Sequence, residues 1–293
     1  MMDKTIALYS KSLTEKTTAG LMRVIDALYD RGVTIYLNIM DPEGHHFNHD
    51  HRVILFSELS DLPAYVSMIL SVGGDGTFLE TAMRVRTAGI PVAGINTGRL
   101  GFLANIPDNE IGKSVDLIIS GDYEVISRSM LEITSPPELA ADGNAMALNE
   151  ITVQKDDQSM ITITVEVDGT FLNTYRADGL IISTATGSTA YNLSVGGPIL
   201  YPTDDSIIIV PMSPHNLTVR PIIVSGSSVI TLGTGGRSSH CLVTIDSKAT
   251  RVPSGTVLEV RQSASRLSTV TIAGNDFFST LRNKLMWGAD PRN

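Results

Sequence analysis

Residues 66–81 read VSMILSVGGDGTFLET: an apolar run from Val66 to Val72, then Gly73-Gly74-Asp75-Gly76, then a helix-like segment from Phe78. A strand with no polar face that opens through glycines into a helix is a βα junction of an open, largely parallel sheet. Ligands of such sheets sit at the carboxyl ends of the strands. The glycine turn points backbone N–H groups at one spot and the helix N-terminus adds partial positive charge, so the place suits a phosphate. Gly73, Gly74 and Gly76 carry no Cβ to block approach, and Thr77 is placed to cap the helix. Two common phosphate motifs fail on spacing. A GxGxxG begun at Gly74 and Gly76 needs glycine where Leu79 stands, and the P-loop suggested by Gly112-Lys113-Ser114 needs glycine where Pro107 stands. The acid in the middle is the distinguishing feature. A carboxylate there repels phosphate unless it holds Mg²⁺ or takes a proton from an attacking hydroxyl. It also has a purely structural use, accepting turn N–H groups. Spacing leaves these readings open.

Outward from the turn, residues 1–122 alternate strands and helices. Thr5–Tyr9, Val33–Leu37, Val53–Phe56, Val66–Val72 and Pro91–Ile95 read as strands, and Leu21, Val24, Ile25 and Leu28 fall at helical spacing. This is the grammar of an α/β lobe with an open, largely parallel sheet. From Tyr123 to about residue 270 the texture changes to short β-branched runs, among them Ile161–Val167, Gly179–Thr184, Ser206–Val210, Ile222–Val224, Val229–Leu232, Leu242–Ile245 and Val257–Val260. Asp168-Gly169 marks a hairpin. An all-β C-terminal lobe is expected over 123–270. The segment 271–293, helical from Phe277 to Trp287, is expected to return to the first lobe.

The chain has 293 residues and a formal charge of −9, with no Lys/Arg cluster able to neutralise a run of phosphates, so no nucleic-acid partner is expected. The one cysteine, Cys241, excludes an internal disulfide framework and any CxxC site. No run approaches the roughly 20 apolar residues of a membrane span, and the start MMDKTIALYS has no apolar leader; a soluble cytoplasmic protein without a membrane partner is expected. His45, His46, His49 and His51 resemble a metal cluster but fall among Asn48 and Asp50 in a polar stretch, which reads as a solvated loop.

Four further stretches join the turn: AGINTGRLGFL (93–103), LNE (148–150), RADGLIISTATGSTAYNLSVGGPIL (176–200) and PMSPHNL (211–217), with IDS at 245–247. Taken with GGDGT at 73–77, the set resembles the NAD kinases, bacterial type; GGDGT alone is shared with lipid kinases and 6-phosphofructokinases. The resemblance implies an α/β lobe and an all-β lobe with a site in the cleft between them. It implies that ATP, carrying a divalent cation such as Mg²⁺, phosphorylates the adenosine 2′-hydroxyl of NAD. By the same resemblance Asp75 is the general base, and Gly73, Gly74, Gly76 and Thr77 handle phosphates.

Asn149-Glu150 taken alone reads as surface. An amide can be bidentate toward adenine and a carboxylate can accept from ribose hydroxyls, and with the resemblance both residues are assigned to cofactor binding. Thr186–Ser194 combines a glycine turn, hydroxyls and a ring. On its own this reads either as a ligand wall or as a helix N-cap followed by a buried Tyr191. The resemblance assigns Thr186, Thr189, Ala190, Tyr191 and Ser194 to the NAD pocket. Arg176 and Asp178, two apart on one expected strand, face the same side; the resemblance sends Asp178 to a neighbouring subunit's nicotinamide, which implies a homodimer or homotetramer. Lys248 stands where the family often has glutamine and is assigned to the pocket. Met160 stands where it often has a basic or polar residue, and is left without a role. His215 and Cys241 read as structural. A lipid kinase sharing GGDGT, or a non-catalytic NAD(H)-binding regulator, is the alternative.

Overall fold

A computed structural model describes residues 4–39, 47, 50–98, 101–140 and 145–287. His45, His46 and His49 lie outside the described residues, as do Arg99 and Leu100. The chain divides into two units, Met1–Ser127 with Leu267–Asn293, and Arg128–Arg266.

The first unit runs β1 (Thr5–Ser10), α1 (Glu15–Tyr29), β2 (Thr34–Ile39), β3 (Val53–Leu55), β4 (Met68–Gly73), α2 (Asp75–Val85), β5 (Val92–Asn96), β6 (Ile106–Pro107), α3 (Ile111–Ser120) and β7 (Tyr123–Arg128). The second runs β8 (Leu131–Ser135), β9 (Met146–Ala147), β10 (Glu150–Lys155), β11 (Ile161–Val167), β12 (Thr170–Ala177), β13 (Gly179–Ser183), α4 (Tyr191–Ser194), β14 (Ile207–Met212), β15 (Ile222–Val224), β16 (Ile230–Gly236), β17 (His240–Ile245), β18 (Lys248–Pro253) and β19 (Val257–Gln262). The chain then returns to the first unit as β20 (Leu267–Ile272) and α5 (Phe277–Leu285).

The first sheet has the order β3-β2-β1-β4-β5-β20-β7, with β6 beside β5. Its pairs β1/β2, β2/β3, β1/β4, β4/β5, β5/β6 and β5/β20 are parallel. The order reverses direction between β1 and β4, the topological switch point of a doubly wound sheet, and the glycine turn leaves β4 there. Each face of β4 has its own helices. Met68, Leu70 and Val72 join the core formed with Leu21, Val24, Ile25 and Leu28 of α1 and Ile111, Val115 and Ile118 of α3. The opposite face receives α2, whose Phe78, Ala82 and Val85 are buried and whose Thr81 hydroxyl donates to Ser71 Oγ at 2.9 Å.

The second unit holds two antiparallel six-stranded sheets, β15-β14-β13-β10-β17-β18 and β12-β11-β16-β19-β8-β9. One side of each contributes to a single core that includes Ile151, Val153, Leu180, Ile182, Ile207, Ile209 and Val243 from the first and Leu131, Ile133, Ile163, Val165, Ile230, Leu232 and Leu258 from the second. The alternation of these positions is what a half-buried strand requires. Asp168 and Gly169 both take positive φ (53° and 74°), and Val167 pairs with Thr170 across them, as a two-residue hairpin demands.

Three local expectations differ from the structure. Thr77 lies inside the first turn of α2, whose N-cap is Gly74 with no side-chain cap bond, so the helix begins two residues before the expected cap. Arg176 ends in β12, whereas Asp178 lies beyond that strand, because the backbone there turns into β13. Of the two readings of the 186–194 stretch, the one with a buried Tyr191 fails, since that residue is 40% exposed. Among the described residues, no helix is long and apolar enough to cross a membrane.

Ile182 is fully buried in the second core. Ile182→Ala is expected to cost about 2–5 kcal/mol of unfolding free energy, read as a lowered urea midpoint at unchanged slope.

Candidate active site

Asp75 opens α2, and its carboxylate is held by one loop. Phe102 N–H donates to Oδ2 at 3.0 Å, while Leu103 and Ala104 N–H donate to Oδ1 at 3.1 and 2.9 Å. The glycines of AGINTGRLGFL explain how the loop reaches it. A Cβ on Gly101 would lie 1.9 Å from Asp75 Oδ1, and one on Gly94 would lie 2.6 Å from the Ala104 Cα, so only glycine permits either approach. Asn96 organises the same loop, accepting from Gly98 N–H at 2.7 Å and donating to Ala104 O at 3.3 Å. Gly73 closes against Thr77, whose Oγ1 a Cβ would approach to 2.4 Å. Over Gly74 and Gly76, by contrast, a Cβ would meet nothing within 4 Å. The head of the helix is therefore open on the side of its first N–H groups, where an anion is favoured.

A residue that sequence reading missed completes this region. Lys284 of α5 places Nζ 3.4 Å from Asp75 Oδ2 and 4.5 Å from the centre of the Phe102 ring. The segment before α5 is tied to the same loop, since Asn275 Nδ2 donates to Asn105 O at 3.2 Å. A lysine 209 residues from its partner leaves no mark in spacing.

The second unit repeats the device. Asp246, at φ 50° between β17 and β18, accepts from Leu148, Asn149 and Glu150 N–H at 2.9, 2.9 and 3.1 Å. LNE and IDS thus meet. The segment STATGSTAY (183–191) joins them: Thr184 N–H donates to Asn149 O at 2.9 Å, and Thr184 Oγ1 accepts from Gly187 N–H at 3.0 Å. A Cβ on Gly187 would lie 2.1 Å from Asn149 O, which explains the glycine of that turn. Asn149 and Glu150 are buried, contrary to what the bare dipeptide suggests. Burial first, then the Asp246 charge, pushes the Glu150 carboxyl up to about 8, with the Tyr191 N–H pulling the other way. Burial also raises Asp246, against the pull of its three N–H donors.

Thr186 is buried and accepts from Arg128 at 3.2 Å; burial pushes that guanidinium down to about 10. Asn192, missed in the sequence, anchors the turn by donating to Ser188 O and Pro198 O at 2.9 and 3.0 Å. Thr189 ends the 3-10 turn Thr186–Thr189, Ala190 follows it, and Tyr191 and Ser194 bound α4 with both side chains exposed. Arg176 is exposed, and its carbonyl accepts from His215 N–H at 2.9 Å. Asp178 pairs with Lys155 at 2.6 Å. Lys248 is exposed at the start of β18, opposite Ile245. Among the described residues, no group of three or more His, Cys, Asp or Glu is placed to hold a metal ion.

Comparison with known proteins gives this arrangement its family. The ATP-NAD kinase N-terminal domain matches residues 20–123 and the ATP-NAD kinase C-terminal domain matches residues 148–272. An NAD kinase of Cytophaga hutchinsonii is 46% identical over 227 residues, 77% of each chain. Among solved structures, an Archaeoglobus fulgidus NAD kinase in complex with ATP superposes with a TM-score of 0.73 at 25% identity, covering 96% of this chain and 98% of that one. Yeast NADH kinase complexed with NADH shares the fold, with a TM-score of 0.84 at 23% identity over 98% of this chain and 88% of that one. The chain belongs to the NAD kinase family.

The Glu150 proton has a measurable consequence. Folding takes up a proton between the ordinary glutamate value of 4.5 and about 8, so this group's contribution to stability declines as pH rises through that window. Glu150→Gln removes the titration. Its Tm is expected to gain on wild type as pH rises from about 5 to about 8.5, at fixed ionic strength. A constant difference would mean that Glu150 is charged throughout.

Proposed function

We propose that the chain transfers the γ-phosphoryl group of ATP to the 2′-hydroxyl of the adenosine ribose of NAD, giving NADP and ADP. Family membership supports the reaction, and one observation supports the role of Asp75: its carboxylate is held by three N–H bonds at the open head of α2. Those bonds fix the carboxylate in place, and of its chemical uses the family resemblance gives it that of the base. The 2′ O–H bond breaks, its proton passes to Asp75, and the oxygen bonds to Pγ. The bond from Pγ to the bridging oxygen breaks, and ADP leaves with that electron pair. A secondary hydroxyl is a weak nucleophile, so orientation and proton acceptance by Asp75 are what this chain supplies.

In this reading Gly73, Gly74, Gly76 and Thr77 receive phosphates. Asn149, Glu150, Arg176, Thr186, Thr189, Ala190, Tyr191, Ser194 and Lys248 serve NAD. A Glu150 that holds its proton near neutral pH adds no negative charge beside an anionic dinucleotide. A divalent cation belongs to the donor, bound through phosphate oxygens and offsetting their charge. The reading includes a homodimer or homotetramer in which Asp178 reaches a neighbouring subunit's site. Exposed Phe171, Leu217, Ile223 and Val257 supply apolar surface for such an assembly. A cytoplasmic location suits the lone buried thiol of Cys241.

The test is NADP formation from Mg-ATP and NAD. Asp75→Asn is expected to lower kcat by about 10²–10⁴-fold while NAD still binds. Full activity in that variant would remove Asp75 from the chemistry. Phosphorylated lipid with no NADP would install the lipid-kinase alternative, and NAD binding with no transfer would install the regulator.

A further inference from the structure

A carboxylate has about four lone-pair sites, and three of those on Asp75 are taken by Phe102, Leu103 and Ala104 N–H. The ammonium of Lys284 stands at the fourth, 3.4 Å from Oδ2. If Asp75 accepts a hydroxyl proton, as the proposed function requires, that site has to be vacated. The ammonium leaving it needs another anion within reach. The open head of α2, over Gly74 and Gly76, adjoins Asp75 and is where a phosphate is favoured.

We propose that Lys284 is a donor-binding residue that passes from Asp75 to the terminal phosphate of the nucleotide. Without nucleotide, the ammonium neutralises the acid in the phosphate turn and shields incoming phosphates from it. With nucleotide bound, the phosphate takes the ammonium, and Oδ2 is left to the acceptor hydroxyl. The Phe102 ring holds the stem near both positions by its attraction for a cation, with Nζ 4.5 Å from the ring centre. Anchorage of the preceding segment through Asn275 and Asn105 limits how far α5 departs. The pair is about one-third exposed at each side chain, so its own contribution to folding is small and its removal leaves the lobe intact. The inference rests on the proposed role of Asp75, and its test is separable from it.

The variants are Lys284→Met, Lys284→Gln and Lys284→Arg in the full chain. Both neutral variants are expected to weaken Mg-ATP binding by calorimetry, and to raise KM for ATP, by about tenfold or more, since a charge-assisted bond to phosphate is lost. KM for NAD stays within about twofold, and arginine restores ATP affinity to within about threefold, since it keeps the charge. Wild-type ATP affinity falls with added salt, and the neutral variants show a shallower slope. A merely structural lysine would move none of these selectively. Unchanged ATP affinity in both neutral variants, or equal losses for ATP and NAD, overturns the inference while leaving Asp75 in place. Weakened ATP binding in a protein that makes no NADP supports the inference and instead defeats the reading of the reaction.

Discussion

The first unit turns on an aspartate bound by the backbone of a loop far along the chain. Three N–H groups of 102–104 converge on Asp75, and this single set of bonds determines much that surrounds it. It accounts for the glycines at 94 and 101, where any side chain would strike the loop or the carboxylate. It accounts for Asn96, which holds the loop's carbonyl and so aims its N–H groups. It also fixes the carboxylate at the carboxyl end of β4, where the strand order reverses and α2 begins. A carboxylate at a helix start is costly to hold out of water unless its hydrogen bonds are satisfied, and here the backbone of 102–104 satisfies them.

The same solution recurs in the second unit in an unrelated setting. Asp246 gathers three consecutive N–H groups, those of Leu148, Asn149 and Glu150, and so sets the start of β10. The two aspartates have opposite consequences for their neighbours. Asp75 remains partly exposed beside an ammonium. Burial raises the carboxyls of both Asp246 and Glu150, with the Asp246 charge adding to the rise at Glu150. A dipeptide with no value as a pattern is thereby held in a buried position by its own backbone N–H groups.

How much of this was legible in the sequence depends on the range of the physics involved. Strands and helices with clean periods were readable, because alternation and 3.6-residue spacing act locally. Met68–Gly73 and Glu15–Tyr29 fall where the apolar pattern places them. A strand with mixed faces was not: Lys248–Pro253 is largely exposed and carries little apolar signal. The glycine turn suggested a phosphate site, yet the loop that holds Asp75 was visible only as a family motif. Its cause lies in contacts between residues 27 to 29 apart. Lys284 and Arg128 are recognisable only in three dimensions. The backbone of Glu150 is likewise tied to Asp246, nearly a hundred residues away.

The order of the strands also bears on how the protein is made. β20 lies between β5 and β7 in the first sheet, and Val270 and Ile272 belong to the core built by α1 and α3. The whole of Arg128–Arg266 is inserted between β7 and this closing strand. On the ribosome, the first unit therefore waits with a gap in its sheet while the second is synthesised in full. The second unit is contiguous and has its own core, so it is free to fold first even though it emerges later. Lys284 follows β20, so the environment of Asp75 is finished only after the whole of the second unit has been made.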